Sequence, residues 1–129
     1  MRAKMLLIED NEQNQYLVTF LLEKHGYQVV VAPDGLHGLE LAAREVPDLI
    51  LLDIQLPQMD GYEVARTLRQ NPALATVPIV AVTSYAMMGD KEKALAAGCD
   101  GYLEKPINPE TFVVQVEGFL PQAARGGVS

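Results

Sequence analysis

Four stretches of consecutive apolar residues constrain this chain more than any other feature. They are Met5-Leu6-Leu7-Ile8, Val29-Val30-Val31-Ala32, Leu49-Ile50-Leu51-Leu52 and Ile79-Val80-Ala81-Val82, with a weaker fifth at Tyr102-Leu103. A strand with one wet face alternates polar and apolar side chains; a strand covered on both faces does not, and these runs do not alternate. Between them lie segments of helical period. Leu17, Val18, Leu21 and Leu22 recur before a stop at Gly26, and Leu36, Leu39, Ala43 and Val46 form a second stripe ending before Pro47. Val64, Ala65 and Leu68 make a third, closed by Asn71-Pro72, and Ala94, Leu95 and Ala97 a fourth ahead of Gly98. The fifth, Phe112, Val113, Val116 and Leu120, has Asn108 placed as its N-cap and Pro109 at the first helical position. Five βα units follow. The fold class is α/β, with a five-stranded parallel sheet, right-handed crossovers and a helical layer on each face. Periodicity does not give the order of the strands.

Composition fits one such unit. The 129 residues are 49% hydrophobic and 21% charged, a globular balance in a chain of single-domain length. A domain this size buries roughly two-thirds of its unfolded surface and needs no disulfide or structural metal. Cys99 stands alone, which excludes an internal disulfide and a cysteine-rich zinc site. Seventeen acidic against ten basic residues give a formal charge of −7 and a pI near 4.7. Such a surface repels nucleic-acid phosphates and anionic lipid, so neither DNA nor a membrane is the expected partner. No run of about 18 apolar residues is present and the first residues lack a signal-peptide core, so a cytoplasmic location is expected. Residues 1–120 read as the domain. Residues 121–129 lose the apolar period and read as a flexible tail or the start of a linker.

In open parallel sheets, ligands bind outside the carboxyl ends of the strands. The first strand ends in Glu9-Asp10, the third in Asp53, the fourth in Thr83-Ser84 and the fifth in Lys105-Pro106. The second ends in Ala32-Pro33 and contributes nothing. Taken singly, each end has a plain structural reading: Asp53 as a turn residue, Glu9-Asp10 as a helix cap, Lys105-Pro106 as a turn. Together they place three carboxylates, hydroxyls and an ammonium on one edge while every strand interior is apolar. Three close carboxylates repel one another unless a proton or cation sits among them, and hard oxygen donors favour Mg²⁺ or Mn²⁺ over zinc. A carboxylate can act as nucleophile toward phosphorus, with a lysine and a hydroxyl binding the equatorial oxygens. Asp53, behind four apolar residues, is the acid placed to accept the phosphoryl group.

The segments Leu7-Ile8-Glu9-Asp10-Asn11, Leu52-Asp53-Ile54-Gln55-Leu56-Pro57-Gln58-Met59-Asp60-Gly61, Val82-Thr83-Ser84 and Tyr102-Leu103-Glu104-Lys105-Pro106 resemble the receiver domain of two-component response regulators, the CheY-like superfamily. The likeness covers about residues 4–120. Ala86-Met87-Met88-Gly89-Asp90 and Ala96-Ala97-Gly98-Cys99-Asp100-Gly101-Tyr102 further resemble stand-alone receivers of the DivK type and receivers of hybrid kinases. The resemblance implies a flavodoxin-like (βα)5 fold with strand order 2-1-3-4-5 and a phosphorelay function. It implies Asp53 as phosphoacceptor, Glu9 and Asp10 as metal ligands with Asp53 and the Gln55 backbone carbonyl, and Mg²⁺ as cofactor, replaceable by Mn²⁺. Thr83 and Lys105 are implied to contact the phosphoryl group, Tyr102 to switch with Thr83, and the Lys105-Pro106 bond to be cis. The implied donor is a histidine kinase or histidine phosphotransfer protein. A downstream protein partner is implied on the fourth helix, fifth strand and fifth helix.

The acid pair is Glu-Asp rather than Asp-Asp, which alters reach to the metal. Gln55 and Tyr85 occupy positions that tune dephosphorylation in this family, and a bulky Tyr85 is expected to hinder an attacking water. His25 and His37 sit among helix-surface positions, and His25 at a helix C-terminus is explained by the macrodipole rather than a phosphohistidine role. Cys99, just past a helix stop, reads as an inert small residue. Met87 and Met88 fit either an adaptable contact surface or ordinary packing. Two other functions compete with this reading. A small Mg²⁺-dependent phosphatase or hydrolase with an Asp nucleophile needs an acid near the nucleophile and a cap, whereas Asp53-Ile54-Gln55 has no acid two residues on. A nucleotide or flavin carrier needs a Gly-rich loop after the first strand, where Glu9-Asp10-Asn11-Glu12 is anionic.

Overall fold

The computed structural model describes residues 3–56, 59–84 and 89–120. Its elements alternate as β1 (Lys4–Ile8), α1 (Glu12–Lys24), β2 (Gln28–Ala32), α2 (Gly35–Glu45), β3 (Leu49–Asp53), α3 (Gly61–Gln70), a 3-10 turn (Pro72–Leu74), β4 (Ile79–Thr83), α4 (Asp90–Ala96), β5 (Gly101–Glu104) and α5 (Phe112–Glu117). The sheet order is β2-β1-β3-β4-β5 with every pairing parallel, the flavodoxin-like topology. No helix among the described residues is long and apolar enough to cross a membrane.

The uninterrupted apolar runs are explained by two cores on opposite faces of one sheet. Leu6, Ile8, Ile50, Leu52, Ile79 and Ala81 point to one side and pack with Ala42, Val64, Leu68 and Ala94 of α2, α3 and α4. Met5, Leu7, Leu49, Leu51, Val80 and Val82 point to the other and pack with Val18, Leu22, Phe112 and Val116 of α1 and α5. Consecutive strand residues therefore serve alternate cores, and each fully buried large side chain contributes roughly 1.5–3 kcal/mol.

Three local readings are corrected. Of the stripe assigned to α2 only Leu39 packs against the core: Leu36 is 60% exposed, Val46 is 46% exposed and Ala43 lies in solvent, while Gly35, Gly38 and Ala42 are the buried residues of the helix. The helix lies so close that a Cβ on Gly38 would stand 2.5 Å from Ile8 Cδ1, so small residues make the contact. In the fifth unit, the Asn108 side chain accepts from Glu110 N at 2.9 Å and caps a turn, and regular helix begins only at Phe112. On α4, Ala94 and Ala97 are buried as expected but Leu95 is 47% exposed.

The amino edge of the sheet is tied by one arginine. Arg69, near the end of α3, donates to the carbonyls of Gly98 (2.8 Å), Leu74 (2.9 Å) and Val77 (2.7 Å) and pairs with Asp100 at 2.5 Å. Asp100 also accepts from Ile79 N at 2.9 Å, which fixes the entry to β4. Across the sheet, the Tyr27 hydroxyl donates to Glu117, joining the start of β2 to the end of α5.

Candidate functional site

The carboxyl edge gathers the residues that the sequence singles out. Asp53 is the last residue of β3 and Glu9 directly follows β1; each is only 3% exposed. Glu9 stays in line because its N–H continues the β2 ladder to Ala32 O at 3.0 Å and its carbonyl accepts from Gln15 Nε2 at 2.6 Å. Asp10 faces solvent. The cap of α1 is Asn11, whose side chain accepts from Asn14 N at 2.9 Å, so Glu9 and Asp10 are left for other work.

Lys105 enters from the turn after β5. Its Nζ lies 2.9 Å from Glu9 Oε1 and 3.2 Å from Asp53 Oδ2, its N–H bonds Thr83 O at 2.7 Å, and the Lys105–Pro106 bond is cis. Burial by itself would lower the Lys105 pKa, but the bond to Glu9 and the charge of Asp53 outweigh it and hold the ammonium above its ordinary value. Burial raises the Glu9 carboxyl above the usual range; its bond to Lys105 opposes this and the charge of Asp53 adds to it. One lysine thus faces three acids. Glu9, Asp10 and Asp53 each offer a carboxylate oxygen, and these lie within 4.8 Å of one another. That is a hard, anionic donor set with more negative charge than Lys105 neutralises, and it fits Mg²⁺ or Mn²⁺.

Backbone bonds fix the described residues between β3 and α3. Gln55 N donates to Asp53 Oδ1 at 2.9 Å, Gly61 N to Ile54 O at 3.2 Å, and Asp60 caps α3 through Tyr62 N at 3.0 Å. A Cβ on Gly61 would stand 2.5 Å from Ile54 Cα, so the close return requires glycine. Thr83, 2% exposed, ends β4 beside β3, where Asp53 pairs with Val82. Tyr102, half-buried in β5, lines a groove of about 580 Å³ with Lys91, Glu104, Ile107 and Phe112.

The site therefore brings Glu9, Asp10, Asp53 and Lys105 together, with Gln55 and Thr83 at its rim and Tyr102 farther along the edge. His25 and His37 lie elsewhere: His25 Nδ1 is 3.0 Å from Leu21 O at the end of α1, and His37 pairs with Asp34 at 2.8 Å. Tyr85, Met87, Met88 and residues 121–129 lie outside the described residues. Two features escaped the sequence reading. The Gln55 side chain accepts from Ser84 N at 3.1 Å, and α1 exposes a stacked pair, Tyr16 (75%) and Phe20 (51%), with ring centroids 6.3 Å apart.

Comparison with known proteins agrees with this geometry. The chain is 40% identical over 123 residues to the polar-differentiation response regulator DivK of Brucella ovis, covering 95% of this chain and all of that protein. The chemotaxis protein CheY4 of Vibrio cholerae superposes with a TM-score of 0.89 at 31% identity, covering 93% of this chain and all of its own. The receiver domain of sensor histidine kinase PA1611 from Pseudomonas aeruginosa superposes with a TM-score of 0.84 at 35% identity, over 92% of this chain and 98% of its own. That structure holds a magnesium ion in its active-site cleft. The family profile described as response regulator receiver domain matches residues 5–117, and the chain belongs to that family.

Proposed function

We propose that Asp53 accepts a phosphoryl group from a histidine kinase or histidine phosphotransfer protein and that the receiver then changes the surface it offers to a downstream partner. One observation carries the reading: a buried carboxylate at a strand end shares a lysine with a second buried acid inside a cluster of three carboxylates. The Asp53 carboxylate attacks phosphorus in line, the bond from phosphorus to the donor nitrogen breaks, and the donor imidazole leaves with the electron pair. Lys105, already on Asp53, follows the charge onto a phosphoryl oxygen, and Thr83 binds another. Glu9, Asp10, Asp53 and the Gln55 carbonyl would hold Mg²⁺, with Mn²⁺ as a substitute; when bound, the cation neutralises charge developing on the transferred group.

Thr83 and Tyr102 relay the change to α4, β5 and α5, where the groove beside Tyr102 gives a partner a concave surface. Phosphorylation shifts an existing equilibrium rather than creating a new state. The donor is placed on α1, which begins three residues after Glu9 and presents Tyr16 and Phe20 to solvent.

Receiver domains are signalling domains, and this one is read as catalysing only its own phosphorylation and dephosphorylation. The test is incubation with Mg²⁺ and acetyl phosphate followed by intact mass. One added phosphoryl group, absent in Asp53→Asn, is expected. An adduct that survives Asp53→Asn, or sustained turnover of an organic phosphomonoester, would overturn the assignment.

A further inference from the structure

The sheet has two outer strands, and one of them is left unguarded. In a parallel pair, a residue donates to the carbonyl one position back on its neighbour and accepts from the N–H one position ahead, so alternate residues serve opposite sides of a strand. Gln28 N bonds Ala3 O and Glu9 N bonds Ala32 O, both at 3.0 Å, which turns Gln28, Val30 and Ala32 toward β1. The N–H and C=O groups of Val29 and Val31 therefore point out of the sheet, where no strand among the described residues pairs with them. Outer strands are ordinarily blunted by charge, proline or a bulge. β5 ends in Glu104. β2 reads Gln-Val-Val-Val-Ala, without charge or proline, in unbroken register over all five residues. A groove of about 570 Å³ joins this strand at Val31 to the outer face of α1, where Tyr16 and Phe20 are stacked. Its lining holds two carboxylates, Glu12 and Glu23, and no basic group. The same face already draws a cation: Lys24 Nζ stands 6.0 Å from the centre of the Phe20 ring.

We propose that β2 takes an added strand: an extended basic segment of a partner protein pairs with Val29 and Val31 and sets its lysine or arginine side chains against Glu12 and Glu23. Backbone bonds supply the attachment, and alternate side chains supply the specificity. A helix spends its backbone groups internally and cannot bond Val29 and Val31, whereas an extended chain can. The Val29 and Val31 side chains lie on the α1 side of the sheet, so every second residue of the incoming strand stands over the groove. About 16 Å of helix axis separates Glu12 from Glu23, and same-face residues four apart on a strand span about 13 Å, within reach of two lysine side chains. A second copy of this chain is the poorer occupant. Antiparallel pairing of two β2 strands puts both α1 helices, with Glu12 and Glu23 of each copy, on one face of a joined sheet, in a chain of net charge −7. The proposal does not rest on Asp53 as phosphoacceptor, because the contact lies along β2 and needs no phosphoryl group.

The probe is the peptide acetyl-Thr-Lys-Thr-Val-Thr-Lys-Thr-amide, whose lysines and valine share one face, titrated to millimolar concentration into the isotope-labelled full chain and followed by NMR. Saturable shifts of the Val29 and Val31 amides are expected, with slower hydrogen exchange at both, while Val30, already bonded to β1, keeps its rate. Glu12→Gln combined with Glu23→Gln should weaken binding roughly two- to tenfold and flatten its salt dependence. Two N-methylated peptides, one blocked at the lysines and valine and one at the threonines, should differ: an added strand uses every second amide, so one loses roughly tenfold in affinity and the other keeps it. Protection of Val29 and Val31 that grows with protein concentration alone would assign β2 to a second copy and overturn the proposal. So would peptide binding that leaves those two amides unprotected, equal binding of a peptide with glutamate in place of lysine, or no saturable shift at all.

Discussion

Both edges of the sheet hold a mostly buried cation, and they use it differently. The Lys105 side chain at the carboxyl edge is 12% exposed and the Arg69 side chain at the amino edge 20%, so burial does not separate them. Their partners do. Arg69 directs its planar fork at the carbonyls of Leu74, Ala75, Val77 and Gly98 and at one carboxylate, all in connecting segments that must be held. Most of the guanidinium's donors are thereby committed to holding the backbone in place. Lys105 is a flexible point charge set between two acids that themselves outnumber it. An incoming cation or phosphoryl group can re-partner every member of that cluster. The amino edge is built to stay as it is, and the carboxyl edge is built to be completed.

The sharpest way to break this contrast is to disturb the frame of the carboxyl edge rather than its charges. Gly61→Ala would press a Cβ to within 2.5 Å of the Ile54 backbone, which cannot swing aside as a side chain can. A loss of about 3 kcal/mol or more in urea unfolding is expected, with loss of Mg²⁺ binding. Next comes Arg69→Ala. It removes the guanidinium from the part-buried carbonyls of Val77 and Gly98 and leaves Leu74 O only its bond from Val77 N, for a loss of about 2–3 kcal/mol, while Mg²⁺ affinity stays that of wild type. Asp53→Asn should go the other way. It removes one of three mutually repelling acids and leaves the Lys105–Glu9 pair at 2.9 Å intact. In metal-free buffer the variant is expected to be about 0.5–1 kcal/mol more stable than wild type. Saturating Mg²⁺ should erase that advantage, because wild type gains RT ln(1 + [Mg²⁺]/Kd) and the variant gains less. An Asp53→Asn protein less stable than wild type without metal would show that Lys105, not acid repulsion, dominates the cluster.

The two edges also differ in how far they could be read from sequence. Strands and strand-end acids were legible because burial on two faces leaves an uninterrupted apolar run and the first polar residue after it marks the edge. Glu9 and Asp53 follow from that rule; Lys105 stands one place beyond Glu104, the first polar residue after the fifth run, and the strand order came with the family resemblance. The Arg69 clamp left no such mark: it joins residues 5 to 31 positions apart through backbone carbonyls, whose positions no side-chain pattern encodes. The α2 face was misread because hydrophobicity points to Leu36, while close packing against Ile8 selects for smallness at Gly38. The bond from Ser84 N to the Gln55 side chain joins two segments 29 positions apart, a pairing that the residue types do not announce.

Cys99 offers the gentlest probe of the contrast, because it reports opening without a change in stability. It sits between Gly98 and Asp100, both partners of Arg69, and its N–H bonds Ala94 O at 3.0 Å. The side chain is buried, and burial pushes its thiol up to about 11. At neutral pH almost none of it is thiolate in the closed chain, so alkylation by iodoacetamide must wait for the amino edge to open. Slow labelling is expected in wild type, at a rate that rises in Arg69→Ala in proportion to the open population. Adding Mg²⁺ with beryllofluoride, which completes the opposite edge, should leave that rate unchanged if the amino edge is the inert frame described above. A rate that falls when the acid site is filled would mean that the two edges open together. The division between a fixed edge and a responsive one would then have to be redrawn as a single cooperative unit.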